Sequence, residues 1–297
     1  LEESIAIDSD IPVKQSFDLH YIDFDHPANN IWQVTEEFSV QRPNGSYARP
    51  DIVLMVNGIP FVIIECKKSS VDVAEGVQQN VRNMMPDYIP QLFKFAQIVM
   101  AINPQKVLYG TGGTGSDYFV EWREDDIEWQ NEVCKKCSPD GSILEQDKVA
   151  ASMLSKHRLL DLVQNFILFD NNIKKIARHQ QYFAINKTMD RINGKDGCTS
   201  KGGVIWHTQG SGKSLTMVML VRKNQAEKGW ENPRFIIVTD RVNLDKQIRD
   251  NFANSQMAPV RAATGKGLNA LLKNKENIVI TTLINKFETV YRNKYLE

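Results

Sequence analysis

Apolar and polar positions alternate in short runs through the first 65 residues, a pattern that predicts strands rather than helices. The strands predicted from this alternation lie at 17–21, 31–34, 37–40, 52–56 and 61–65. Further along, the pattern predicts a helix over 72–85 and strands at 98–102, 106–109 and 117–122. Apart from that last strand, residues 111–148 follow no regular period and are predicted to be irregular.

The pattern changes near residue 148, where apolar positions begin to recur at helical spacing. Strand and helix signals then alternate, at 203–207 and 213–225, at 234–239 and 243–254, and at 277–282 followed by a last helical segment. Such alternation predicts a parallel sheet in a doubly wound α/β domain. We therefore expect two domains, 1–147 and 148–297.

Composition and charge support this division. The chain of 297 residues is 42% hydrophobic and 24% charged, as in ordinary globular proteins. It contains no run of eighteen apolar residues, so we expect no membrane span, and its four cysteines fit a reducing cytoplasm. Residues 1–150 hold 12 basic and 24 acidic residues, and the remainder holds 24 and 12. The basic half suits phosphate-rich partners.

The segment 204–214, Val-Ile-Trp-His-Thr-Gln-Gly-Ser-Gly-Lys-Ser, predicts a phosphate-binding loop between a strand and a helix. Backbone N–H groups around Gly210, Ser211 and Gly212 would converge on phosphate oxygens at the helix N-terminus. Lys213 would neutralise the β- and γ-phosphates of ATP, and the Ser214 hydroxyl would hold Mg²⁺.

A second candidate site lies where two strands of the first domain carry charge. Asp51 opens one strand, and Glu65, Cys66 and Lys67 close the next. Residues two apart in a strand share a face, so Glu65 and Lys67 project together. Asp51, Glu65 and the Cys66 carbonyl would bind Mg²⁺, and Lys67 would orient the attacking water or stabilise the developing charge of a phosphodiesterase. The alternative is a solvated strand that carries ordinary surface charges.

The two carboxylates meet only if the strands pair in the right register. Asn57-Gly58 favours a two-residue turn, which on its own would put Asp51 and Glu65 on opposite faces of the sheet. A shared site requires an odd loop or a bulge. We predict one, for example a three-residue loop at 56–58.

Taken in order, these motifs resemble the motor subunit of type I restriction–modification enzymes. The matching segments are Pro-Asp…Glu-Cys-Lys, Ala-Arg-x-x-Gln at 177–181, the phosphate loop, Thr-Asp-Arg-x-x-Leu-Asp-x-Gln at 239–247 and Thr-Thr-x-x-x-Lys-Phe at 281–287. The resemblance implies a PD-(D/E)xK nuclease, with a mixed sheet flanked by helices, followed by part of a RecA-like superfamily 2 helicase domain. It implies Mg²⁺ and ATP as cofactors and matches Gln181 to the glutamine that reads adenine. Double-stranded DNA and the methyltransferase and specificity subunits are the partners it implies.

The sequence departs from that family in two places. Members often carry Gln-x-x-x-Tyr after the nuclease motif, whereas Gln79 is followed four residues later by Asn83. The Asp-Glu-x-His segment that completes an ATPase site does not occur within the 297 residues. We therefore expect an N-terminal fragment that binds ATP weakly and hydrolyses it poorly. Two alternatives remain open, another nuclease–helicase fusion and a non-catalytic DNA-binding or assembly module.

Overall fold

The structure is a computed structural model. It describes residues 2–6, 16–138, 141–199, 202–227, 229, 233–274 and 279–294. The chain forms two compact units, Leu1–Ile167 and Leu168–Glu297.

The first unit is built on a mixed sheet. Its strands are β1 (Glu2–Ala6), β2 (Ser16–His20), β3 (Trp32–Glu36), β4 (Val40–Gln41), β5 (Tyr47–Ala48), β6 (Ile52–Val56), β7 (Ile59–Cys66), β8 (Ile98–Asn103) and β9 (Lys106–Gly110). Its helices are α1 (Val73–Asn83), α2 (Pro90–Phe93), α3 (Ile127–Cys137), α4 (Glu145–Leu154) and α5 (Lys156–Asn165). The main sheet has the order β3-β6-β7-β8-β9, in which β7 and β8 are parallel and the other pairs are antiparallel.

Strand β7 occupies the centre of this sheet because its apolar run is continuous. Val62, Ile63 and Ile64 are all buried, as expected of a strand covered on both faces. Helix α1 forms the crossover from β7 to β8 and starts at Asp72, whose side chain accepts a hydrogen bond from the Ala74 N–H. Val77 of α1 belongs to the same buried cluster as Ile63 of the sheet. This packing fixes one face of α1 against the ends of β7 and β8.

Three predictions for the first unit were wrong. The strand expected at 37–40 is reduced to Val40–Gln41, and Glu37 has a left-handed φ of 47°. The strand expected at 117–122 is a short 3-10 turn, with a single bridge between Tyr109 and Val120. The stretch predicted to be irregular contains α3, whose buried face includes a polar residue, Gln130, and therefore shows no apolar period.

The two units divide about twenty residues after the predicted boundary at 147/148, because α4 and α5 pack with the first unit. Val149 and Met153 of α4 are buried, and the Gln130 amide of α3 donates a hydrogen bond of 2.8 Å to the Ser152 hydroxyl. The helical pattern that suggested a new domain therefore belongs to the first unit.

The second unit contains a parallel sheet. Its strands are β10 (Ile167–Asp170), β11 (Ile173–Ile176), β12 (Phe235–Thr239), β13 (Val260–Ala262) and β14 (Val279–Leu283). Its helices are α6 (His179–Ile192), α7 (Lys213–Ala226), α8 (Val242–Asn254), α9 (Gly265–Lys273) and α10 (Phe287–Lys294). Strands β12, β14 and β13 lie in that order and are all parallel, which confirms the predicted parallel sheet.

One predicted strand of this unit does not form. Residues 202–208 have no regular secondary structure, and Val204 and Trp206 are 89% and 88% exposed. A strand exists only where a neighbour supplies the hydrogen-bond ladder, and no described residue pairs with this segment. The apolar run alone therefore gave the wrong prediction. Among the described residues, no helix is both long and apolar enough to cross a lipid bilayer.

Candidate functional site

The hairpin of β6 and β7 places Asp51 beside Glu65. Asn57 and Gly58 form a two-residue turn with φ of 51° and 80°, and Val56 pairs with Ile59. The pairing then shifts by one residue, because Met55 pairs with Pro60 and Leu54 with Val62, so Phe61 has no pairing partner on β6. Beyond this bulge, Ile52 pairs with Ile64, which brings Asp51 level with Glu65.

The prediction that an odd loop or a bulge aligns Asp51 with Glu65 is therefore confirmed. The three-residue loop at 56–58, given as an example, is wrong. The bulge sits inside the strand, at Phe61, and the turn keeps the two residues that Asn-Gly favours. A bulge adds one residue to one strand only, so every side chain beyond it changes face relative to the partner strand.

The carboxyl groups of Asp51 and Glu65 are in contact. The Asp51 Oδ2 accepts a hydrogen bond of 2.6 Å from the Cys66 N–H, and the Glu65 and Asp51 carboxyl groups lie within hydrogen-bonding reach of each other. Glu65 is fully buried. The pKa of Glu65 is raised from 4.5 to about 8, mainly by burial and secondly by the adjacent charge of Asp51. The positive charges of Lys67 and Arg82 act in the opposite direction and lower this pKa.

One face of α1 completes this cluster. The Gln79 side chain bridges it, since its Nε2 donates to Glu65 Oε2 at 2.6 Å and its Oε1 accepts from Lys67 Nζ at 2.7 Å. The Asn83 Nδ2 donates to the other oxygen of Glu65 at 3.2 Å. Glu65 and Lys67, predicted to project together, are thus joined through one amide.

Sequence reasoning overlooked Asn83, which was taken only as a departure from a family pattern. Gly76, Gln79, Asn80 and Asn83 stand at positions i, i+3, i+4 and i+7 and so share one helix face. A Cβ at Gly76 would lie 3.0 Å from the Ala101 Cβ, so glycine allows the close approach that brings this face to the sheet. The sequence did contain a signal for Asn83, because a glycine and three polar residues lie on one face of the predicted helix.

An open groove of about 940 Å³ runs beside the cluster. Its lining includes Cys66, Lys67, Lys68, Gln78, Gln79 and Arg82. Burial raises the pKa of the Cys66 thiol to about 11, with smaller contributions from the two carboxylates, so this thiol stays protonated at neutral pH. Within the described part of the chain, no three His, Cys, Asp or Glu side chains converge as a metal site.

The glycine-rich loop of the second unit leads into α7. Gly210 and Gly212 adopt left-handed φ values of 77° and 81°, which favour glycine, and α7 begins at Lys213. The Lys213 Nζ donates to the carbonyls of His207 and Thr208 at 2.8 and 2.7 Å. The ammonium group is thus held over the loop, at the N-terminus of a helix.

Gln181 of α6 contacts this loop from a buried position. Its Oε1 accepts a hydrogen bond of 2.9 Å from the Arg178 N–H, and its Nε2 donates to the Gly212 carbonyl at 3.1 Å. Both ends of the amide are therefore engaged within the protein. The adenine contact predicted for Gln181 stays a prediction, and so does the Mg²⁺ contact of Ser214, which lies in the first turn of α7.

Comparison with known proteins gives matches to both units. Residues 3–118 match the family described as Type I restriction enzyme R protein N terminus, and residues 180–296 match SWI2/SNF2 ATPase. The chain is 30% identical over 285 residues to a putative type I restriction enzyme MjaIXP endonuclease subunit of Methanocaldococcus jannaschii. It is 29% identical over 281 residues to the type I restriction enzyme HindI endonuclease subunit of Haemophilus influenzae. Each alignment covers 90% of this chain, but only 27% and 26% of the relatives, so the chain spans about a quarter of their length.

Proposed function

Because this chain belongs to the family of type I restriction enzyme endonuclease subunits, we propose that its first unit is a magnesium-dependent PD-(D/E)xK nuclease domain. This domain hydrolyses phosphodiester bonds of double-stranded DNA. The observation that carries the proposal is the contact between the Asp51 and Glu65 carboxyl groups. Gln79 connects Glu65 of this pair to Lys67 by hydrogen bonds.

The residues present suit a magnesium ion. Two carboxylates that share a buried site repel one another when both are ionised, and a divalent cation between them removes that repulsion. Oxygen is the donor that Mg²⁺ prefers. In a strand, the N–H and C=O of one residue point to the same side. The Cys66 N–H points toward Asp51, so the Cys66 carbonyl lies on the same side of the strand as Asp51. When bound, the ion polarises the phosphate and acidifies a water molecule.

The remaining polar groups orient the reacting parts. Lys67 lines the groove, where its ammonium stabilises negative charge on the phosphate and positions the attacking water. Gln79 fixes Lys67 relative to Glu65, and Asn83 holds the second Glu65 oxygen. Asn83 thus serves as a positioning residue for the metal ligand.

Replacing Asn83 with alanine is expected to weaken divalent-metal binding by about tenfold, because residues that hydrogen-bond to a metal ligand typically have effects of this size when they are replaced. The measurement is Mn²⁺ binding by calorimetry. Asn80→Ala is the matched control, because Asn80 is an equally buried asparagine of α1 that donates to the Met100 carbonyl instead of Glu65. Equal losses of metal affinity in both variants would contradict the positioning role.

The second unit is proposed to bind ATP as part of a RecA-like motor domain. Its parallel sheet and the match to SWI2/SNF2 ATPases support this. Gly210, Ser211, Gly212 and Lys213 supply the phosphate contacts, and Ser214 supplies the contact to Mg²⁺. In the intact subunit, ATP turnover would drive movement along DNA.

Gly212→Ala is expected to lower ATP affinity by about tenfold or more. A Cβ there would meet the Gln181 Nε2 at 2.8 Å and would be strained at φ 81°. The loop would have to change shape and lose its phosphate contacts. Binding is measured with a fluorescent ATP analogue, and Gly203→Ala is the control, since a Cβ at Gly203 meets no atom within 4 Å. Unchanged affinity in Gly212→Ala would argue against this loop as the nucleotide site.

The overall activity is tested by cleavage of unmethylated plasmid. The chain is placed within its longer subunit and combined with methyltransferase and specificity subunits, the partners proposed for it. We expect cleavage only when Mg²⁺, ATP and all subunits are present. Cleavage that persists in EDTA would overturn the metal-dependent mechanism.

A further inference from the structure

Three cations, Lys68, Arg82 and Arg42, lie in or next to the groove. Lys68 and Arg82 line the groove directly, and Arg42 lies next to them across the ring of Tyr88. In the part of the chain that the structure describes, none of the three forms an ion pair with a carboxylate. The groove lining holds three cations, Lys67, Lys68 and Arg82, and one carboxylate, Glu75, although residues 1–150 hold twice as many acidic as basic residues.

Tyr88 brings two of these cations together. The guanidinium carbon of Arg42 is 4.0 Å from the centroid of the Tyr88 ring, and that of Arg82 is 5.3 Å away. The Arg42 Nε donates to the Asp87 carbonyl at 3.3 Å, and its other N–H donors make no hydrogen bond to the residues that the structure describes, so they can serve a ligand. Two like charges beside one ring repel, and an anion that bridges them would remove this cost.

We propose that Lys68, Arg82 and Arg42 bind backbone phosphates of the DNA duplex whose scissile bond lies at Asp51 and Glu65. The inference rests on the proposed function, since that function requires the backbone in this groove. Arginine binds phosphate through its planar fork of donors, and lysine binds it as a point charge. Tyr88 positions the two guanidinium groups. Because these contacts are to phosphate, they fix the DNA without reading its sequence.

The first test measures binding of the full 297-residue chain to a fluorescein-labelled duplex in EDTA, by fluorescence anisotropy over a series of salt concentrations. We expect Arg42→Gln/Arg82→Gln to weaken binding about fivefold or more and to reduce the salt slope by about two, since each phosphate contact contributes about 0.9. The matched control is Lys135→Gln/Lys136→Gln, which removes two exposed cations at the end of α3. Equal effects in both pairs would overturn the proposal.

The basic second half of the chain also attracts DNA, so a local measurement is needed. We expect a saturating duplex to protect Arg42 and Arg82 from phenylglyoxal, as read by peptide mass spectrometry, while Arg123, whose side chain is 76% exposed, stays reactive. Modification of Arg42 and Arg82 that is the same with and without DNA would overturn the proposal even if the variants bind less tightly.

Failure of this inference can be distinguished from failure of the proposed nuclease. If Arg42 and Arg82 are unprotected while Asp51→Asn abolishes cleavage in the assembled enzyme, the phosphate contacts are wrong and the nuclease site stands. If cleavage survives Asp51→Asn, the nuclease assignment is wrong whatever the binding data show.

Discussion

Asp51→Asn is expected to reduce DNA cleavage by the assembled enzyme by about 10²–10³-fold or more, with little change in DNA binding. Asparagine has nearly the same shape as aspartate and keeps an oxygen that can accept the Cys66 N–H, so the local fold is maintained. What it loses is the negative charge shared with Glu65. Without that charge, the pair holds Mg²⁺ weakly, and the phosphate is no longer polarised.

The matched control for this experiment is Asp72→Asn. Asp72 lies on the same unit and caps α1, a role that asparagine performs about equally well. The substitution Asp72→Asn removes one carboxylate and leaves Asp51 and Glu65 unchanged. The readout is the rate of plasmid cleavage in the assembled enzyme at saturating Mg²⁺ and ATP. Cleavage by Asp51→Asn within about threefold of the unmodified enzyme would exclude a catalytic role for Asp51.

Glu65→Gln is expected to remove the loss of stability that the metal-free protein undergoes as the pH rises, so the variant gains stability relative to the unmodified chain at high pH. The pKa of Glu65 is about 8 in the folded protein, above its ordinary value of 4.5, so the folded state retains a proton that the unfolded state loses. Stability therefore falls as pH rises from about 4.5 to about 8. Above that window the full penalty, on the order of a few kcal/mol, is present, and glutamine removes it.

The measurement is urea unfolding in EDTA at pH 5 and pH 9, with the variant compared with the unmodified chain at each pH. Glu75→Gln is the control, because Glu75 is an exposed residue of α1. Added Mg²⁺ is expected to stabilise the unmodified chain at pH 9 and to have little effect on Glu65→Gln. A stability difference between variant and unmodified chain that is the same at pH 5 and pH 9 would contradict the burial and repulsion inferred for Glu65.

Much of the site was predictable because local patterns determined it. The run Val62–Ile64 indicated a buried strand that leads into Glu65 and Lys67, and this strand is central in the sheet. The strand spacing also showed that only an odd loop or a bulge could bring Asp51 and Glu65 together. Its position at Phe61 was not predictable, because a bulge depends on how both strands pack on the core and not on either strand alone.

Other elements could not be predicted from local patterns. Helix α3 was missed because Gln130 on its buried face bonds to Ser152 of α4, a partner distant in sequence. The strand expected at 203–207 does not form, although its sequence is apolar, because its residues have no pairing partner among the described residues. Asn83 was noticed only as a departure, because its bond to Glu65 depends on the close approach of α1 that Gly76 permits.

By itself, the sequence determined which residues are available to each site, namely the acidic pair with its lysine and the glycine-rich loop before α7. Side-chain chemistry and strand periodicity are local properties, so they can be read along the chain. Only the tertiary structure decided that Asp51 and Glu65 touch, that Gln79 and Asn83 hydrogen-bond to Glu65, and that Gln181 hydrogen-bonds to Gly212. These contacts join residues far apart in sequence, and their distances are set by how helices pack on sheets.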